Sequence, residues 1–387
     1  MPFSKLYIEN KMAKYDFLIV GAGFFGATCA RKLTDAGFKC LIVEKENTVG
    51  GLAATEEKDG IMIHKYGEHV LHTDDDVTWN FLSQYDTIIN VNKYVKCFNG
   101  NKYYSFPLNM NLFNEVYGTI YPKDARELIK KDISEYGVEY KRNLEEEGIY
   151  KAGFKPYMLT MKGYYEKLFQ EEAKNLSIAE IRDLNTQFNY SSGYYQEYYV
   201  GVPLNGYSTM IENIIGNDID ILLGKDYITL KDRFNKLADY VICTCPIDKF
   251  CSYIYGPLPW RTLKYELKDF TNEGENFLGI GTVRIVDPNN ALIEMIEHKS
   301  IVPTEAEKNY ISYVTVDKWN ADKIGMFAVN SEESEALLDK YIAFVNENFP
   351  NIIFGGRQGL YRNISICESV KLASDLCNDI ITTMHSS

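Results

Sequence analysis

Residues 15–37 place the strongest constraint on the fold. An apolar run, YDFLIV (15–20), leads into GAGFFG, which sets Gly21, Gly23 and Gly26 in G-x-G-x-x-G spacing. The stretch ATCARKLTDAG follows, with apolar residues at helical period up to Gly37. A second apolar run, KCLIVEKE, places Glu44 at its end, 21 residues after Gly23. Strand, glycine turn, helix, strand and terminal acid in that order predict a βαβ unit that binds a dinucleotide. Gly21 allows the tight turn, Gly23 lets a pyrophosphate approach the backbone, and Gly26 lets helix and strand pack closely. The helix start, with Phe24 and Phe25 in its first turn, supplies N–H groups and partial positive charge for the phosphates. Glu44, followed by Lys45, is positioned to accept from a ribose diol, which favours an unphosphorylated ribose.

The next segment chooses between NAD and FAD. NTVGGL (47–52) adds a second glycine pair, Gly50 and Gly51, ahead of Leu52. A second glycine turn so soon after the acid resembles flavoproteins of the amine-oxidase type, and FAD is the expected cofactor.

Three of the five histidines, His64, His69 and His72, fall in IHKYGEHVLHT. Their spacing matches no standard metal motif, so no metal is expected, and His64 reads as a structural histidine with a satisfied ring. The string resembles HKYGPHIFHT of the UDP-galactopyranose mutases, with Glu68 in place of the proline. Further segments match that family in order: SFPLNMNLFNEVYG (105–118), GYYEKLF (163–169), FNYSSGYY (188–195), GVPLNGYSTMIENII (201–215), CPID (245–248), EHK (297–299) and GRQGLYR (356–362). The resemblance covers nearly all of the chain after Met12.

The resemblance implies a flavin-dependent isomerase that interconverts the pyranose and furanose forms of a nucleoside-diphosphate sugar. In that family the reduced flavin N5 attacks the anomeric carbon and displaces the nucleotide. The sugar ring then opens and recloses through O4, with no net redox change. The same resemblance implies the site residues. His72 lies against the isoalloxazine, with His69 beside the cofactor. Arg357 stabilises the anionic reduced flavin, and Tyr361 lies close to sugar and flavin. Asn109 sits by the flavin or the diphosphate, Tyr164 and Tyr194 line the nucleotide, and Phe169 replaces a tryptophan under the base. Simple packing remains open for the tyrosines. A FAD-dependent oxidoreductase of the amine-oxidase type and a non-catalytic flavin-binding protein are the alternatives.

Departures from the family bear on the substrate. Its two diphosphate arginines fall on Asp183 and Glu294, both charge reversals, and a family tyrosine falls on Lys318. A unit charge pair near 4 Å is worth about 4 kcal/mol at an effective dielectric of 20, so each reversal could turn attraction into comparable repulsion. Arg182, Arg284 (where the family has asparagine) and Lys318 are the cations that could rebuild an anion site. The competing reading is an altered substrate.

The fold expected is α/β: a Rossmann-like FAD-binding domain with a helical insert and an antiparallel-sheet domain. The FAD-binding domain is discontinuous (13–105, 218–256 and 340–387). DARELIKKDISEYG and YEKLFQEEAKNLSIAEIRDL suggest the helical domain at 106–187, and period-two alternation suggests the sheet domain at 188–217 plus 257–339. A formal net charge of −13 makes nucleic acid and anionic membranes poor partners and leaves a small molecule. Eight scattered cysteines read as reduced thiols of a cytoplasmic protein. The segment ahead of Met12 has no apolar core of a signal peptide and reads as an alternative start or a remnant. Oligomeric state is not legible in the sequence, although family members often form homodimers through the helical part.

Overall fold

The computed structural model describes residues 15–181, 184–273 and 276–385. The segment ahead of Met12, together with Arg182 and Asp183, lies outside the described residues. The chain divides into two compact units. The first gathers residues up to 51, 208–256 and 339 onward, and the second holds 52–207 and 257–338.

The first unit is built on a five-stranded parallel sheet. Its spatial order is Asp220–Leu222, Cys40–Val43, Tyr15–Val20, Ala238–Cys243, Ile352–Phe354. Numbered along the chain this is 3-2-1-4-5, the doubly wound order with its switch point between the first and fourth strands. Leu18, Ile19, Ile42 and Ile242 are fully buried, which is why these strands read as unbroken apolar runs. The helix Phe24–Asp35 packs along the final helix, Ile366–His385, with Cys29 Sγ 4.0 Å from the Ala373 carbonyl. Ala238–Cys243 is formed by ADYVIC, and Ile352–Phe354 leads to Arg357. All eight cysteines are free thiols.

The second unit holds a seven-stranded sheet in the order Phe327–Ala328, Trp260–Asp269, Tyr310–Asp317, Leu292–Glu297, Thr282–Ile285, Val95–Asn99, Lys102–Phe106. Every neighbouring pair is antiparallel except Thr282–Ile285 with Val95–Asn99, so the sheet is mixed rather than purely antiparallel. Residues 52–105, placed by the sequence with the dinucleotide domain, group here instead. The physical reason is pairing. Val95–Asn99 and Lys102–Phe106 form a hairpin whose two-residue turn is Gly100-Asn101, with Gly100 at φ 62, and that hairpin extends the sheet. Thr55–Lys58 pairs with Ile61–His64, and Leu71–Thr73 pairs with Tyr199–Pro203.

The same unit holds the helices Met110–Tyr117, Pro122–Tyr136, Leu144–Ala152, Phe154–Thr160 and Lys162–Phe169, of which Pro122–Tyr136 takes in nearly all of the expected DARELIKKDISEYG stretch. Their ends follow local chemistry. Asn109 and Asn143 accept from the amides of Leu112 and Glu146, while Gly118 and Gly137 close helices at φ 71 and 84. The periodicity after Tyr165 does not give one long helix. Gln170 takes φ 52 and ends the helix, and only short 3₁₀ turns follow at Ala173–Asn175 and Ile178–Ile181. Leu112, Phe113, Ile149, Leu168 and Phe169 from this helical layer share one core with Ile293, Ile296 and Val314 of the sheet.

The EHK segment proves to be a structural anchor. Glu297 is fully buried and accepts from the amides of Phe277 and Gly279 (2.6 and 3.1 Å) and from Asn309 Nδ2 (2.7 Å). His298 Nδ1 accepts from the His64 amide at 3.3 Å, so its Nε2–H donates to Ser312 Oγ at 2.7 Å. His64 Nδ1 in turn accepts from the His69 amide at 3.3 Å, as a structural histidine should. Burial pulls His298 from 6.5 down to about 3, and burial with His298 and His69 nearby pulls His64 well below its ordinary value. The folded protein holds both rings neutral, whereas the unfolded chain protonates them below about 6.5, so stability falls as pH drops through that value. His298 alone should cost about 2 kcal/mol of stability between pH 7.5 and 5. Urea unfolding at both pH values should show His298→Asn less stable than the parent at pH 7.5 but losing about 2 kcal/mol less on acidification. Identical pH slopes would contradict the neutral-ring account.

Candidate functional site

In the first unit the glycine loop leaves the C-terminal end of the central strand. Gly21 has φ 101, and a Cβ there would overlap Thr244 Oγ1, which donates to the Val20 carbonyl at 2.6 Å. A Cβ at Gly26 would overlap the Gly21 carbonyl oxygen, so helix and loop approach to backbone contact. Gly23 is different. It caps the helix at φ −86, ψ −177, which any residue adopts, and its Cβ would meet nothing nearer than Gly51 Cα at 4.0 Å. The second glycine turn therefore lies against the first, tied by the Gly50 amide to the Ala22 carbonyl at 3.0 Å. The first intrahelical bond is from Ala27 to Gly23, so the Phe25 and Gly26 amides in the first turn have no acceptor within the helix. Glu44 Oε2 accepts from the Ala22 amide at 2.7 Å and Oε1 from the Glu46 amide at 2.9 Å, which leaves each oxygen a lone pair for a diol. These features fit a dinucleotide cofactor.

The neighbouring side chains are less involved. Phe24 and Phe25 are buried, and the Phe25 ring covers Gly355 so closely that a Cβ there would overlap it. Both phenylalanines therefore meet the helix-start chemistry through backbone, not ring. Lys45 is exposed, 3.7 Å from Glu46 Oε1. Arg357 stands on the short helix Gly356–Gly359 after the strand Ile352–Phe354. Tyr361 is only 2% exposed and takes a left-handed φ of 50.

In the second unit His69 Nε2 bonds the Leu52 carbonyl at 2.9 Å, and the Tyr207 hydroxyl donates to the His69 carbonyl. His72 Nδ1 bonds Glu197 Oε1 at 2.8 Å, and its ring lies flat on Tyr195, centroids 3.9 Å apart at 14°. The His72 bond holds the Glu197 carboxyl below the usual carboxylate range. Glu197 is therefore an acceptor for Nδ1–H, and Nε2 is the ring nitrogen left to act. Neither Glu197 nor Tyr195 was singled out by sequence. Tyr195 adjoins an expected ligand tyrosine, whereas Glu197 carries no local signal.

The other cluster centres on Arg284. Its guanidinium lies over the rings of Tyr164, Phe106 and Tyr194 at 4.5, 4.9 and 5.4 Å. Arg284 Nε donates to Glu294 Oε1 at 3.3 Å, and the Tyr164 hydroxyl donates to the same oxygen at 3.0 Å. Burial, then Glu294, pushes the Tyr164 hydroxyl well above its ordinary value, so it stays a donor. Glu294 is thus paired rather than isolated, which corrects the expectation of a bare repulsive charge. A second buried pair lies close in the fold: Glu68 Oε2 accepts from Thr282 Oγ1 at 2.5 Å and lies 3.7 Å from Lys93 Nζ. Burial pushes the Glu68 carboxyl up despite Lys93. Arg284 Nη1 is buried without an acceptor, an arrangement that costs about 1–3 kcal/mol or more for a charged donor.

Other expected ligand residues fall differently. Phe169 is 2% exposed and belongs to the apolar core. Its carbonyl accepts from Arg261 Nε at 2.5 Å. Asn109 is fully buried and occupied, with Oδ1 capping the helix at Leu112 and Nδ2 donating to the Ser191 carbonyl at 2.7 Å. Lys318 is exposed just past the strand Tyr310–Asp317. Among the described residues no cluster of three or more His, Cys, Asp or Glu could hold a metal ion. No described helix is long and apolar enough to cross a membrane.

A family model described as UDP-galactopyranose mutase matches residues 159–363, more than half of the chain. The chain belongs to that family. Membership makes it an isomerase. A second model, for an NAD(P)-binding Rossmann-like domain, matches residues 19–85, and with the family it implies a flavin cofactor. A probable UDP-galactopyranose mutase of Klebsiella pneumoniae is 29% identical over 380 residues, covering 95% of this chain and 96% of that one. The dTDP-fucopyranose mutase of Escherichia coli is also 29% identical, over 365 residues, covering 92% and 96%. Equal identity to relatives named for different nucleotides and sugars leaves both choices to the site itself. A crystal structure of reduced UDP-galactopyranose mutase superposes with a TM-score of 0.72 at 12% identity, covering 96% of this chain and 94% of that one, and shows the shared fold.

The glycine geometry separates folding from binding. Gly26→Ala should destabilise the protein by about 1–3 kcal/mol or more, seen as a lower unfolding midpoint. Gly23→Ala should fold normally yet weaken flavin binding at least about tenfold in fluorescence titration, because its methyl group occupies the phosphate approach. Equal flavin affinity in Gly23→Ala and the parent would remove the loop from the cofactor site.

Proposed function

We propose that the protein interconverts the pyranose and furanose forms of a nucleoside-diphosphate sugar and uses FAD in its reduced form. The carrying observation is the bare backbone contact of Gly23 with Gly51 beside a helix start and a held carboxylate, in a chain of this family. When bound, reduced FAD would supply the N5 nucleophile for the anomeric carbon without net redox change. On this reading Gly21, Gly23, Gly26, Gly50, Gly51 and the first-turn amides of Phe24 and Phe25 cradle the pyrophosphate, and Glu44 takes the ribose. Arg357 balances the charge of the reduced flavin, and His72, fixed by Glu197 and Tyr195, presents Nε2. Tyr164, Tyr194 and Arg284 serve the nucleotide sugar, with Lys318 and Arg182 as further cations. Asn109 acts as a positioning residue through its helix cap. Tyr361 and Phe169 are buried and act by packing.

Anaerobic incubation of dithionite-reduced protein with a panel of UDP- and dTDP-hexoses, followed by chromatography, tests this. The expected result is a furanose product from at least one sugar, formed only after reduction and without consumption of an acceptor. Turnover that consumes oxygen or another acceptor would make the protein a flavin oxidoreductase instead. No furanose and no sugar-dependent change in the reduced-flavin spectrum would make it a non-catalytic flavoprotein.

A further inference from the structure

Arg284 and Glu294 are direct partners across the ladder joining Thr282–Ile285 to Leu292–Glu297. The family resemblance puts a cation at 294 and a neutral asparagine at 284, so this chain moves the cation across one rung and fills the vacated position with an anion. Cross-strand partners lie about 4.5–5.5 Å apart, which sets the displacement, and its direction is toward the neighbouring strand Val95–Asn99. Three aromatic faces stabilise the plane of the guanidinium but cannot satisfy its in-plane N–H groups. Glu294 takes Nε, whereas Nη1 remains without an acceptor on a residue only 8% exposed.

We propose that Arg284 Nη1 receives a phosphate oxygen of the nucleoside diphosphate, with Glu294 as the positioning residue that holds the guanidinium in place. The assignment rests on the nucleotide-sugar reading above and names the cation that reading requires. Because Arg284 and Glu294 together are neutral, the ligand meets one oriented, charge-assisted donor rather than a free cation pair. The carboxylate tunes the site: it fixes the fork but competes with the phosphate for its charge.

Calorimetric titration of the oxidised, FAD-loaded protein with UDP tests the assignment. Glu294→Gln keeps an oxygen for Arg284 and Tyr164 while removing the competing charge, and should bind UDP roughly five- to tenfold more tightly. Arg284→Gln should bind UDP at least about tenfold more weakly than the parent. Since that variant leaves Glu294 buried without its partner, the double variant Arg284→Gln with Glu294→Gln is made alongside it. It should retain flavin content and unfolding midpoint yet bind UDP at least about tenfold more weakly than Glu294→Gln. Equal UDP affinity in all variants, no measurable UDP binding by the parent, or weakening that only accompanies loss of flavin and stability would each overturn the assignment. UDP binding through Arg284 without furanose formation would uphold it and defeat the mutase reading.

Discussion

The approach of the Gly26 Cα to the Gly21 carbonyl is the contact on which the first unit depends. It brings the helix Phe24–Asp35 down onto the end of the central strand, aims the helix start at the switch point, and leaves Thr244 of the next strand to close the turn by bonding Val20. A Cβ at Gly26 would push helix and strand apart, and one at Gly21 would displace the Thr244 hydroxyl. The second glycine turn lies alongside, with the Gly50 amide bonded to the Ala22 carbonyl and Gly51 beside Gly23. The result is a stretch of exposed peptide dipoles suited to a pyrophosphate, with Glu44 already held at the strand end by two amides.

The second unit solves a different problem, the burial of charge. Glu297, His64 and His298 are withdrawn from water and satisfied by backbone amides and hydroxyls, which fixes loops to the sheet. Arg284 with Glu294 and Lys93 with Glu68 are ion pairs of the same unit, and breaking either would leave a buried charge alone. The first group is satisfied at Glu297 and at both His298 nitrogens, while Asn309 Oδ1 beside Glu297 is left without a partner. In the Arg284 group the orphaned atom is a charged donor, Nη1.

Much of this was legible in the sequence. The βαβ cradle, a dinucleotide unit assembled from separate stretches of the chain, and the structural role of His64 follow from local patterns. The helix stop at Gln170 was not, since a left-handed glutamine has no strong local signature. The hairpin turn at Gly100-Asn101 did carry a turn signal, but which sheet it joins depends on partners nearly two hundred residues away. Phe169 reads as a base-stacking aromatic by its motif, yet its ring is packed into the core shared by helices and sheet.

By itself the sequence determined the dinucleotide cradle and the family, because close backbone approach admits only glycine and because several motifs in one order specify one chain path. Tertiary structure alone decided what the charges do. Whether Glu294 repels a phosphate or steadies an arginine depends on strand register, which places Arg284 opposite it, and on the helix Lys162–Phe169, which brings the Tyr164 hydroxyl to it. Register is a long-range property, and local sequence cannot state it.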